Sequence, residues 1–187
     1  MPERDRTFGP TVLLGLAAGT LAAVAGTREW AQASGDAAGI KVEAAVIGSE
    51  TAPLVATLGL VGLAAWGVVL VLRGRVRRVV AVIGLLAAVG ALVSVIIAFD
   101  GAQYDAVNAV LERGATADVV AVSLTGWYYA AGLGAGLTLL AFAVAAVRSP
   151  RWPAMGNKYD APATRTETPA TDEDMWRALD QGRDPTS

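Results

Sequence analysis

Cysteine and histidine are both missing from the 187 residues. Their absence rules out disulfides, thiolate nucleophiles, Cys/His metal centres, haem ligation by histidine and the commonest general base. Charge is scarce too: 17% of residues are Asp, Glu, Lys or Arg, against 54% hydrophobic, and mean hydropathy is +0.47. Soluble domains rarely show this balance and multi-span membrane proteins commonly do. A formal net charge of −2 gives no electrostatic ground for a nucleic-acid partner. No cofactor is implied by any residue pattern.

Four stretches carry no charge at all: residues 8–26, 53–72, 79–99 and 125–147. About 20 apolar residues, at 1.5 Å rise each, cross a hydrocarbon core of about 30 Å. The expectation is an all-α membrane protein whose four transmembrane helices form two antiparallel hairpins in the lipid bilayer. Pro10 and Pro53 stand at helix starts, where a missing N–H costs nothing, and Pro150 and Pro153 end the fourth run. Ala23-Val24-Ala25 gives the first run a rival reading as a cleavable signal peptide. The length of the run and the lack of excess positive charge before it favour a retained span.

Residues 73–78, Arg73-Gly74-Arg75-Val76-Arg77-Arg78, form a basic turn between the second and third runs. Together with Arg4, Arg6, Arg148, Arg151 and Lys158 they put nine basic residues on one side of the bilayer. The loops at 27–52 and 100–124 carry three: Arg28, Lys41 and Arg113. The positive-inside rule therefore predicts a cytoplasmic turn and cytoplasmic termini, with Arg73, Arg75, Arg77 and Arg78 as topology determinants.

In the outer loops, residues 40–47 and 118–124 are β-branched enough to read as strands. They occupy corresponding places in two like halves, each a span, a loop and a span. The two are expected to pair with each other in a small outer sheet; irregular loop is the alternative. Residues 104–113 read as a short separate helix ended by Gly114.

Inside the spans, Thr20, Thr57, Ser94 and Thr138 are the hydroxyls well away from the ends, and they are expected to bond their own helix backbone. Gly15-x-x-x-Gly19 and Gly132-x-x-x-Gly136 have the spacing that lets helices approach closely. Packing within the bundle accounts for them; a homodimer face is the other reading. Ionisable groups, which mark proton and ion pathways in membranes, are absent from all four runs.

Two aromatic-rich clusters, Arg28-Glu29-Trp30 and Trp127-Tyr128-Tyr129, lie at outer ends of spans. An aromatic belt explains both. The sharper reading is a shared outer-face interaction site at Arg28, Glu29, Trp30, Trp127 and Tyr128. Glu29, Glu43, Glu50 and Asp118 offer carboxylates, yet no spacing links them and no nucleophile stands out, so no enzyme is inferred.

The cytoplasmic tail, residues 149–187, divides into a Pro/Thr-rich linker at 159–170 and a short helix at about 172–181. Met175, Trp176 and Leu179 make one apolar stripe on that helix. A helix of about ten residues is marginal alone in water, so a docking partner, a membrane or cytoplasmic protein, is expected; a frayed tail is the alternative.

The outer Arg28-Glu29-Trp30, the junction Gly48-Ser49-Glu50-x-x-Pro53, the basic turn, the motif Arg151-Trp152-Pro153-Ala154-Met155-Gly156-x-Lys158-Tyr159 and the terminal Trp176-Arg177-Ala178-Leu179-Asp180-x-Gly182-x-Asp184-Pro185-Thr186 belong together. This set resembles the tryptophan-associated transmembrane protein family of actinobacteria, over essentially the whole chain. The resemblance implies a four-span plasma-membrane protein encoded beside tryptophan biosynthesis genes, with no established catalytic residues. Lys158 stands where the family usually has Arg, and Arg183 where its tail often has an acid. The function expected is a non-enzymatic scaffold or regulatory partner, with export or transport of tryptophan or a related indole compound as the alternative.

Overall fold

A computed structural model of the chain describes residues 7–72, 74–116, 120–149 and 152. Four helices long and apolar enough to cross a membrane are present: α1 (Phe8–Ala25), α3 (Pro53–Val71), α4 (Gly74–Leu111) and α5 (Gly126–Arg148). Between α1 and α3 lie strands β1 (Glu29–Ala37) and β2 (Ile40–Ile47) and one helical turn, α2 (Gly48–Thr51); strand β3 (Ala121–Leu124) precedes α5. The predicted tail linker and tail helix, Arg73 and the first part of the strand predicted at 118–124 lie outside the described residues.

The helices form a ring in which α1 packs on α3 and α5, and α4 packs on the same two, while the α3 and α5 backbones stay apart and meet across the centre through side chains. Gly15 lies against Trp66 and Gly26 against Ala56, so α1 and α3 run in opposite senses. Likewise Gly84 meets Phe142 while Gly132 meets Val95. One end of the bundle thus holds the short α3–α4 connection, and the other holds the sheet. Outward positions such as Leu13, Leu60, Leu86, Ile97 and Val147 are exposed. A belt of large aliphatic side chains around all four helices is the surface a bilayer covers.

Small residues let these helices close up. A Cβ on Gly15 would stand 2.2 Å from the Trp66 ring, and one on Gly84 would stand 2.3 Å from the Phe142 ring. Each aromatic ring therefore occupies the space a missing side chain leaves. The two rings stack on each other with centroids 4.8 Å apart, and both are fully buried. Gly15 and Gly19 of the first small-residue motif are used inside the bundle against α3, whereas Gly136 of the second has nothing within contact distance. Thr20, Thr57, Ser94 and Thr138 each donate to the carbonyl four residues back, at 2.7–2.8 Å. This is the back-bonding expected of hydroxyls in an apolar medium.

Two differences from the sequence reading set the geometry of the sheet end. The first is that α4 does not stop at Asp100. It continues without a break to Leu111, 38 residues in all, about 57 Å at 1.5 Å per residue and so roughly twice the hydrocarbon thickness. The segment expected as a separate helix is the projecting end of a membrane helix. Ala102, Ala106 and Val110, one stripe at four-residue spacing, are fully buried beneath the sheet. Their burial outweighs the roughly 1 kcal/mol that Gly101 costs inside a helix.

The second difference concerns strand pairing. The sheet has the order β2-β1-β3, all antiparallel, so the two predicted strands do not touch; each pairs with β1, which lies between them. β1 has the sequence Glu-Trp-Ala-Gln-Ala-Ser-Gly-Asp-Ala, with no β-branched residue, and tertiary pairing imposes the strand on a segment of poor strand propensity. The β1–β2 connection is the two-residue Ala38-Gly39, both with positive φ (55° and 83°), and Asp36 accepts a hydrogen bond from the Gly39 N–H at 2.7 Å. Two left-handed central residues match the right-handed twist of a hairpin.

Candidate functional site at the sheet end

Trp30 enters β1 at a bulge. Glu29 pairs with Ile47 and Ala31 with Val46, leaving Trp30 without a partner residue. An extra residue in one strand breaks the in–out alternation, so Trp30 and Ala31 both turn inward and are fully buried. The Trp30 indole N–H donates to the Ala25 carbonyl at 2.8 Å, at the last turn of α1. Its ring meets Tyr128 edge-on, centroids 5.4 Å apart, and Tyr128 donates its hydroxyl proton to the Val95 carbonyl at 2.9 Å. Phe99 and Tyr129 complete edge contacts around Tyr128.

Backbone bonds bring the surface members beside this core. The Gly48 N–H donates to the Arg28 carbonyl at 2.9 Å, and the Thr125 N–H donates to the Trp30 carbonyl at 2.8 Å. Thr125 caps α5: its hydroxyl oxygen accepts from the Trp127 N–H and donates to the Glu29 carbonyl. These contacts set the Arg28 guanidinium 5.4 Å above the Trp127 ring, within cation–π range. Glu29 accepts a hydrogen bond from the Gln32 amide at 3.0 Å.

The five residues singled out in the sequence thus share one corner and divide by role. Trp30 and Tyr128 are core, joining α1, α4, α5 and the sheet. Arg28, Glu29 and Trp127 are exposed and line a recess with Gln32, Ser123 and Thr125. A second recess on the outward face of the sheet shares Glu29, Gln32 and Ser123 and extends to Ser34, Glu43 and Arg113. The two make one polar groove with a guanidinium and an indole at one end and a guanidinium and a carboxylate at the other. Gln32, Ser123 and Arg113 carried no signal in the sequence, because they meet only through the β1–β3 pairing and the projection of α4. Arg113 donates to the Glu43 carbonyl on β2. β2 is an edge strand, and a charged side chain bonded there blunts its open backbone.

At the opposite end, α4 already begins at Gly74, so the stretch expected as a turn at 73–78 is mostly the start of that helix, and its arginines differ among themselves. Arg77 is 3% exposed and donates to the Leu72 carbonyl at 2.7 Å, closing the end of α3. Arg75 and Arg78 are exposed, and Arg73 lies outside the described residues. Trp152 packs edge-on against Phe8 at 5.1 Å and its N–H reaches the Thr7 hydroxyl at 3.3 Å, tying the start of α1 to the segment after α5. Met175, Trp176 and Leu179 lie outside the described residues. No group of three acidic side chains able to hold a metal ion occurs among the described residues.

Comparison with curated proteins and with solved structures returns no significant match. The family comparison covers nearly the whole chain. Residues 12–186 match the tryptophan-associated transmembrane protein family, and with four apolar helices long enough to cross a bilayer, the chain is a multi-pass membrane protein belonging to that family.

Proposed function

We propose that this protein is a non-enzymatic scaffold or regulatory partner of the cell membrane, associated with tryptophan biosynthesis. It would present the polar sheet outside and the tail inside. The observation that carries the reading is the filled centre of the bundle. The stacked Trp66 and Phe142 rings sit where a translocation path would run, and the four intramembrane hydroxyls are bonded to their own helices. Among the described residues, the exposed charged side chains lie at the two ends of the bundle, most of them at the sheet end. The nine-to-three bias of basic residues supports cytoplasmic termini. The partner is a membrane or cytoplasmic protein docking on the apolar stripe Met175, Trp176 and Leu179. Affinity capture of the full chain from native membranes, repeated with Trp176→Ala and Leu179→Ala, tests this. Recovery should fall at least tenfold, and unchanged recovery removes the tail from the proposal.

One observation favours a second reading, export or transport of tryptophan or a related indole compound. Arg28, Glu29 and Trp127 combine a cation, an anion and an aromatic face in one recess, the complement of an aromatic zwitterion. Flux of labelled tryptophan into vesicles with and without the protein decides it; equal rates dispose of transport.

A further inference from the structure

We infer that the turn end of α4 binds one anionic glycerophospholipid, its phosphate held between Arg75 and Arg78 and an acyl chain laid along Val79, Val82 and Ile83. These five residues line a single groove of about 380 Å³. Their spacing of three and four places them on one stripe of the helix. The stripe faces away from the bundle: all five side chains are exposed, whereas Arg77, Ala81, Gly84 and Ala88 on the inward side are buried.

Charge makes the choice of occupant. Arg77 is turned inward and bonded to the Leu72 carbonyl, but Arg75 and Arg78 have no anionic partner among the described residues. No Asp or Glu occurs between Glu50 and Asp100, and both of those acids belong to the far, sheet-bearing end. Two guanidinium groups lie where the apolar surface of α4 begins, the depth of a lipid headgroup. Planar guanidinium forks match phosphate oxygens, and the arginine stems lie along the same apolar wall as the acyl chain. A zwitterionic lipid brings its own ammonium and gains less. Two basic side chains near the membrane surface are worth about 1 kcal/mol each, so preference for the anionic lipid should be roughly 30-fold.

The test is native mass spectrometry of the full chain in detergent, with phosphatidylglycerol and phosphatidylcholine of identical acyl chains competing. One phosphatidylglycerol should remain bound per chain with that preference. The double variant Arg75→Gln/Arg78→Gln should lose it while melting as the parent does, since both side chains are exposed. Ile83→Trp, which fills the groove and keeps the charges, should lose it as well. Arg148→Gln, at the same end on α5, should retain it. Equal retention of both lipids, an unaffected double variant, or equal loss in Arg148→Gln overturns the proposal. Displacement by soluble glycerophosphate as readily as by intact lipid overturns it too, because it makes the apolar wall irrelevant.

Discussion

At position 30 the indole supplies a donor to the end of α1, an edge contact to α5 and a face that covers Gly48, where an added Cβ would lie 2.3 Å from the ring. The donor and the bulk can be separated. Trp30→Phe keeps most of the bulk and removes this donor while the Ala25 carbonyl still accepts from the Arg28 N–H at 3.2 Å, so it should cost about 0.5–1.5 kcal/mol, whereas Trp30→Ala also opens a cavity and should cost about 3–5 kcal/mol. Thermal unfolding in detergent micelles reads both; an unshifted Trp30→Phe would show that the hydrogen bond contributes nothing, and equal shifts would show that the bulk adds nothing beyond it. Trp30 is legible in the sequence as one of a few aromatic residues beside charge, but not as a buried one. Arg28 and Trp127 do lie on the surface, while the bulge turns Trp30 into the core. A bulge leaves no residue signature, so inward rotation of this side chain was not legible.

Among the elements, the four apolar helices were the most legible because exclusion of charge from hydrocarbon is written directly in residue type. Their ends were less so. The first acid after a span marks where the membrane stops, and nothing at Asp100 obliges the helix to stop there as well; Gln103 even bonds back to the Phe99 carbonyl at 3.0 Å across that boundary. The strands divide similarly: β2 shows its β-branched residues, while β1, rich in alanine and lacking them, takes its form from the partners on either side. The polar groove is legible as far as Arg28, Glu29, Trp127 and the carboxylate of Glu43, since Gln32, Ser123 and Arg113 are brought in only by that pairing and by the projection of α4. The continuity of α4 has a direct test. Gly101→Pro removes one helix bond and forces a kink costing about 3 kcal/mol or more. Hydrogen exchange in β1 and at residues 102–110 should accelerate, while protection around Trp66 and Phe142 should hold. Uniform loss of protection at both ends would mean that the two halves of the core are not separable.

For the whole molecule, the lack of cysteine allows each end to be labelled by a single introduced thiol. Ser123→Cys, exposed on the sheet, should react with a membrane-impermeant maleimide on intact cells. Arg75→Cys, exposed in the first turn of α4, should react only after permeabilisation. The reverse pattern would invert the topology assigned from the basic residues. Opposite ends of the molecule are joined by one uninterrupted rod. The sheet rests on the last three turns of α4, the same helix whose first turn carries Arg75 and Arg78. Because a helix resists bending over such distances, a tilt of about 10° pivoting at that first turn would swing the sheet, about 36–48 Å along the axis at 1.5 Å per residue, by about 6–8 Å. Packed against this rod, the sheet moves with it, so a force applied to the sheet is carried along α4 to the end that bears Arg75 and Arg78.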